Sequence, residues 1–316
     1  MEGYVVRVGV IGGGFGRGIA SAVARGGHDV TLCTRRSFET LSPGISVTTS
    51  LEETLQGELV YLAVPSPSLG TILEQLVHLV DGRHRLVHVS RGLVGTELKT
   101  ICQVLVQRTS ARRVGVLAGP LSDAVLREGN PGGGVVASDY PEVIRYVRET
   151  LGGPRLRIYG SADRQGVEVG AAMTGILLFA LGFGAGMGFG PSTLGMLAAR
   201  GMAEIVRVAR ELGGRAETLT GLAGFGDLMS AVAGDGRPEY ALGEAVAKGQ
   251  SLGEAQKSLK AHVEGAQIID YLCAFAASRR LELPLVVALG SVLRGEISGE
   301  QAVERLMSRA VGGEGL

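Results

Sequence analysis

From Val169 to Ala199 the chain contains no Asp, Glu, Lys or Arg. About 20 consecutive apolar residues suffice to cross a bilayer. The segment that opens with "VEVGAAMTGILLFALGFGAG" (167–186) must therefore be either a membrane span or the buried spine of a helical domain. Three features favour the spine. The run is rich in glycine, it is broken at Gly190 and Pro191, and no basic or aromatic anchors flank it. A helix that is apolar on all sides is also what the centre of a large helical domain requires. The expectation is a buried helix whose first half faces a cleft, with no membrane span.

The rest of the composition narrows the class. A chain of 316 residues can hold two domains with substantial cores. Lys plus Arg (31) equals Asp plus Glu (31), so no net field draws the chain to nucleic acid or to an acidic membrane. Cys33, Cys102 and Cys273 are odd in number, far apart and without metal-ligand spacing, which suits reduced thiols and no bound metal. The start, "MEGYVVRVGVIGGG", lacks a basic segment followed by a cleavable apolar stretch. The location expected on these grounds is the cytoplasm.

In the first half, β-branched runs alternate with amphipathic stretches, the pattern of a parallel sheet with helical crossovers. "YVVRVGVI", "DVTLC", "ELVYLAV", "RLVHV", "RRVGVLA", "GGGVVAS" and "RLRIYG" read as strands. "SPSLGTILEQLVHLV", "GTELKTICQVLVQR" and "PEVIRYVRETL" read as helices. From Ala162 onward the strand signature ends and helical patterns follow one another. The expected organisation is α/β: a parallel-sheet domain over 1–160, a helical domain over 161–316, and a cleft between them.

"VGVIGGGFGRGIASAVARGGHDVTLCTRR" places a glycine cluster between the first strand and a helix. Glycines there let backbone amides and a helix N-terminus approach a pyrophosphate. The spacing is irregular. Gly12 and Gly14 are in place, but the third position of the strict pattern falls on Arg17, between Gly16 and Gly18. A tight turn without a ligand is the alternative. After the second strand, where an acidic side chain would grip the ribose of NAD, the chain has Arg35 and Arg36. These suit a 2′-phosphate and favour NADP over NAD, unless they belong to a solvated loop.

These residues resemble the bacterial NAD(P)-dependent glycerol-3-phosphate dehydrogenase family, over almost the whole chain. The glycine stretch is similar to the family's GxGxWGTALA…GHxVxLWxR with one residue deleted, Phe15-Gly16 standing for Trp-Gly. "LAVPSPSL" matches AVPS, "HVSRGL" matches SKG, and "LAGPLSD" matches GPSFA. "LAARGMAEI" matches ITRGLxEM, "LTGLAGFGDLM" matches GLAGLGDL, and "HVEGAQ" matches VEG. The resemblance implies a Rossmann-type domain followed by a helical substrate domain, and commonly a homodimer. The implied reaction is hydride transfer between a nicotinamide dinucleotide and dihydroxyacetone phosphate or glycerol 3-phosphate, in phospholipid biosynthesis. The partner is then a small phosphorylated substrate.

Position by position, the resemblance places cofactor contacts at Gly12, Gly14, Phe15, Gly16, Arg35, Arg36, Arg91, Arg237 and Glu264. It places substrate contacts at Arg91, Gly119, Asp227 and Arg237. It also exposes departures. Where the family's GGALKNV carries the catalytic lysine, this chain reads "GAAMTGI", with Thr174 at the lysine and Gly175 at the asparagine. The lysines of this chain, Lys99, Lys248, Lys257 and Lys260, are remote from the motif. Arg91 replaces the lysine of SKG, Leu121 the serine of GPSFA, and Asp123 adds a negative charge near the expected phosphate. The SRN segment becomes "GRP", with Arg237 matched to its arginine after a one-residue gap.

The catalytic candidates are accordingly Thr174, Asp227 and Arg91. Each has a plainer alternative: a threonine bonded to a carbonyl one turn back, a helix cap, and a surface arginine. His88, on a strand between Val87 and Val89, reads as a packed or half-exposed histidine rather than a catalytic base. Besides the dehydrogenase, two functions fit: a related NADP-dependent dehydrogenase for another small carbonyl or hydroxy acid, and a catalytically silent dinucleotide-binding protein.

Overall fold

The computed structural model describes residues 4–36, 38, 41–234, 237–259 and 265–310, the side chains of 265–267 excepted. Lys260 and Glu264 lie outside the described residues. The chain divides into two compact units: Met1–Ser90 with Thr100–Glu168, and Arg91–Lys99 with Val169–Leu316.

The first unit is built on an eight-stranded sheet. Its strands are β1 (Arg7–Ile11), β2 (Asp29–Cys33), β3 (Ile45–Thr48), β4 (Leu59–Leu62) and β5 (Arg85–His88), and a ribbon of β6 (Leu93–Val94) and β7 (Lys99–Thr100) follows β5 outside that sheet. The sheet resumes with β8 (Arg113–Ala118), β9 (Gly132–Ser138) and β10 (Leu156–Ser161). The spatial order is β10-β9-β8-β5-β4-β1-β2-β3. From β3 to β8 the neighbours are parallel, whereas β9 pairs antiparallel with β8 and parallel with β10. All four residues of β4 are buried, as expected of a central strand covered on both faces.

The helices of this unit are α1 (Phe15–Arg25), α2 (Leu51–Thr54), α3 (Leu69–Leu79), α4 (Ile101–Arg108), α5 (Asp123–Glu128) and α6 (Pro141–Leu151). They enclose two apolar cores. One joins Val8, Val10, Ile19, Val23 and Tyr61, and the other joins Val60, Leu62, Leu73, Leu76 and Leu105.

Two expectations need correction. The stretch 95–108 is not one helix, because α4 starts only at Ile101. Thr100 caps it in a reciprocal box with Gln103, and Leu98 sits at φ 51, which no helix admits. The short strand β3, "ISVT", escaped notice because a four-residue edge strand with half-exposed side chains shows little periodicity.

Among the described residues the second unit is helical apart from β6 and Lys99 of β7. Its helices are α7 (Arg164–Gly186, whose first turns belong to the first unit), α8 (Pro191–Glu211), α9 (Ala216–Leu219), α10 (Asp227–Ala233) and α11 (Pro238–Ala247). They are followed by α12 (Leu252–Leu259), α13 (Gly265–Arg279), α14 (Pro284–Leu293) and α15 (Gly299–Met307). Helix α7 is the apolar stretch of the sequence. It is long enough to cross a bilayer, yet 89% of its most apolar window is buried within the protein. Met173, Leu177, Leu178 and Phe179 share one core with Ile205 and Val208 of α8 and Leu289 of α14.

The glycines of α7 serve close packing. A Cβ on Gly182 would stand 1.9 Å from the Tyr240 carbonyl oxygen, and one on Gly243 of α11 would stand 2.1 Å from that of Phe179. Helices α7 and α11 therefore cross backbone to backbone. That crossing fixes where the N-terminus of α11 lies along α7.

Candidate functional site

In the first unit the glycine turn divides its tasks. Gly12 has φ +120 and donates its N–H to the Cys33 carbonyl at 2.9 Å, and a Cβ there would stand 2.1 Å from the Ala63 oxygen. A side chain is thus excluded by both conformation and space. Gly14 caps α1 and is exposed, with nothing within 4 Å of a Cβ position, so the turn opens here. Gly16 lets α1 lie on Val10 and Ala63, while Phe15, half-buried, starts the helix.

No acidic residue occupies the first turn of α1, and the macrodipole there favours an anion. Arg35 and Arg36 are exposed directly after β2, and the Arg36 N–H bonds to Thr34 Oγ1 at 3.0 Å. Open space at Gly14, a helix N-terminus and two exposed arginines fit a phosphorylated dinucleotide. Gly119, after β8, has φ +107 and accepts the Leu121 N–H at 2.7 Å. Leu121 is buried beside Gly134, and Asp123 faces Gly18 of α1 and pairs with Arg127 at 3.2 Å.

His88 is a core histidine, the packed of the two expected alternatives. Its Nε2 lies 2.9 Å from Glu168 Oε1, which also accepts the Cys102 backbone N–H at 2.8 Å; Arg164 Nη1 donates to Oε2 at 2.9 Å. Burial alone would raise the Glu168 carboxyl, but His88, the Cys102 amide and Arg164 together hold it below its ordinary value. Burial, with Glu168 beside it, pushes the Cys102 thiol far up, so this thiol is inert. His88, Cys102 and Glu168 form a compact buried trio, but the guanidinium of Arg164 already supplies the cation that balances Glu168.

The second unit holds a buried polar cluster. Asp227 opens α10 directly after a single π-type turn, Leu222–Gly226, an irregularity that aims the first residue of the next helix. Arg237 Nη1 donates to Asp227 Oδ2 at 2.9 Å, and Arg237 Nη2 donates to Glu239 Oε1 at 2.8 Å. Arg91 Nη2 reaches Asp227 Oδ1 at 3.3 Å. Asp227, Arg237 and Glu239 are buried, whereas the Arg91 side chain is 27% exposed. Two guanidinium groups meet two carboxyl groups. Three of the expected residues, Arg91, Asp227 and Arg237, thus meet at one place.

Thr174 is fully buried and donates its hydroxyl to the Gly170 carbonyl at 2.8 Å. Its proton is already committed to the backbone. Gly175 abuts the cluster: a Cβ there would lie 3.1 Å from Glu239 Oε1 and 3.3 Å from Arg237 Nη2.

Family models decide the affiliation. The model described as the NAD-dependent glycerol-3-phosphate dehydrogenase N-terminus matches residues 37–143, and the C-terminus model matches 163–304. The chain belongs to the NAD-dependent glycerol-3-phosphate dehydrogenase family. It is 33% identical to a glycerol-3-phosphate dehydrogenase [NAD(P)+] of Ectopseudomonas mendocina, over 95% of this chain and 94% of the relative. It is 31% identical to one of Azotobacter vinelandii over a similar span. Among solved structures, the glycerol-3-phosphate dehydrogenase of Coxiella burnetii superposes with a TM-score of 0.88 at 25% identity, covering 96% of this chain and 99% of that one. A ketopantoate reductase of Ralstonia eutropha, with a TM-score of 0.57 and 14% identity, shares the fold alone.

Within the glycerol-3-phosphate dehydrogenase family frame, the polar cluster contains one residue that sequence reasoning missed. Glu239 follows Pro238 in the first turn of α11, where an acidic residue ordinarily serves the helix dipole, and so it drew no notice. Its signal was faint: a carboxylate two residues beyond Arg237. Of the expected cofactor contacts, Glu264 lies outside the described residues.

Proposed function

We propose that this chain interconverts dihydroxyacetone phosphate and glycerol 3-phosphate with a nicotinamide dinucleotide, NADP(H) in preference to NAD(H). The supporting observation is the match of both halves to the family, at 31–33% identity over 95% of the chain. When bound, the dinucleotide supplies or takes up the hydride. Residues 1–160 hold it, through the Gly12–Gly16 turn for its pyrophosphate and Arg35 and Arg36 for a 2′-phosphate. Residues 161–316, joined by Arg91, carry the substrate site, and 161–316 carry the surface of a homodimer; the protein works in the cytoplasm.

Arg91 and Arg237 serve the anionic substrate by charge-assisted hydrogen bonds. Asp227 holds both guanidinium groups in place. The oxygen that gains charge as the carbonyl is reduced is stabilised by these fixed cations. The test is NADPH oxidation by the purified protein with dihydroxyacetone phosphate, run beside NADH. Turnover above background, faster with NADPH at equal concentration, is the expected result, and none with either cofactor overturns the proposal.

A further inference from the structure

Carbonyl reduction needs a proton as well as a hydride, and among the described residues around Asp227 and Arg237 few groups can carry one. Among the described lysines, Lys248 and Lys257 are exposed and Lys99 is paired with Glu97 at 2.8 Å. Thr174 has committed its proton to Gly170, and arginine does not release one near neutral pH. Asp227 accepts from an arginine at each carboxylate oxygen.

Glu239 differs from all of these. Its Oε1 accepts from Arg237, but its Oε2 is buried without a hydrogen-bond partner among the described residues. The residue is only 5% exposed. A buried carboxylate oxygen left without a donor is costly, so the site is built for something that supplies one. A substrate hydroxyl is such a donor. The location agrees, because Glu239 Oε1 and Arg237 Nη2 sit against Gly175, where a side chain of α7 would otherwise stand.

We propose that Glu239 is the acid–base residue of this site, with Oε2 as the proton-carrying atom and Arg237 as the neighbouring cation. The proposal rests on the dehydrogenase reading above. In the reducing direction the bound dinucleotide would supply a hydride to the carbonyl carbon, and the π pair of the C=O bond would move to oxygen. That oxygen takes the proton of the Glu239 carboxylic acid. Glu239 is left as a carboxylate, the dinucleotide would be released in its oxidised form, and a proton from water restores the acid. In the oxidising direction the carboxylate accepts the proton of the hydroxyl. Arg237 faces Glu239 directly, Asp227 and Arg91 act on it through Arg237, and Gly175 of α7 lies against it.

The test is the pH profile of kcat for dihydroxyacetone phosphate reduction by wild type, Glu239→Gln and Glu239→Asp, each checked by circular dichroism and NADPH binding. In the wild type, kcat is expected to fall with rising pH along a single ionisation. Glu239→Gln should lose that ionisation and about 100-fold in kcat, while KM moves only a few-fold. Glu239→Asp should keep the ionisation. A residue that merely anchored Arg237 would leave the ionisation in place in Glu239→Gln. An active wild type without the ionisation, or a folded Glu239→Gln that retains it at near-normal kcat, overturns the proposal alone. Should the Gln variant fail to fold, Glu239→Asp decides: a lowered kcat with a displaced ionisation is expected, and an unmoved profile at near-normal kcat overturns the proposal. An inert wild type overturns the dehydrogenase reading and this proposal with it.

Discussion

Two buried glutamates give opposite pH signatures. Glu204 on α8 caps α14 from a distance, accepting the Leu285 N–H at 2.7 Å and the Val286 N–H at 3.1 Å. Burial nevertheless outweighs those bonds and lifts its carboxyl from 4.5 to about 7. The folded protein thus binds more protons than the unfolded chain between these values, so this contribution is complete below 4.5 and is lost as pH rises through about 7. Glu168, held below 4.5 by His88, the Cys102 amide and Arg164, behaves in reverse: its contribution is present above 4.5 and is lost as pH falls through its lowered value. Urea unfolding across pH 3 to 8 separates the two. Relative to wild type, Glu204→Gln should gain on the order of 3 kcal/mol between pH 4.5 and 8. Glu168→Gln should be destabilised most near neutrality and least in acid. Parallel curves for wild type and both variants would refute both assignments.

At the level of elements, the crossing of α7 and α11 carries the site. Gly182→Ala inserts a methyl group where the Tyr240 carbonyl lies 1.9 Å away, so the two helices must separate. Overpacking of this kind costs about 1–3 kcal/mol, and backbone cannot rotate aside as a side chain would. The expected result is a loss of that size in unfolding free energy, with kcat falling further than stability alone explains, because α11 bears Arg237 and Glu239 at its start. Gly195→Ala, where nothing lies within 4 Å, is the control and should be neutral. Equal effects of the two substitutions would contradict the crossing.

The same helices show what sequence could and could not disclose. The spine α7 was legible because a long uncharged run in a chain of balanced charge has few places to go. The glycine turn was legible because strand, glycines and helix follow without interruption. The start of α4 was not, since the apolar spacing of 95–108 continues through a loop that only the Thr100 cap and the positive φ of Leu98 reveal. Glu239 was hidden for another reason. Its role depends on Gly175, 64 positions earlier by number, being small enough to admit it, and no local pattern records such a pairing.

At the scale of the molecule, the chain does not pass from one unit to the other only once. Residues 91–99 belong with the helical unit although β5 precedes them and α4 follows, both in the first unit. Leu93 and Leu98 are buried at 5% and 1% exposure in the core that α7 and α8 build. A fragment ending at Glu168 would keep both leucines and lose that core. It should bind a hydrophobic dye and self-associate, because exposed leucines without partners seek others. Leu98 adds a further lever, since its φ of 51 suits asparagine better than leucine. In the intact chain, Leu98→Asn should destabilise by about 2–4 kcal/mol, as core packing is lost and a polar group is buried. In the fragment the same substitution should reduce dye binding and association, because there it removes an exposed apolar group and relaxes the backbone. The sign of the effect thus reverses between the intact chain and the fragment, as measured by unfolding for one and light scattering for the other. A substitution harmful in both, or harmless in both, would mean that Leu98 does not belong to the helical core.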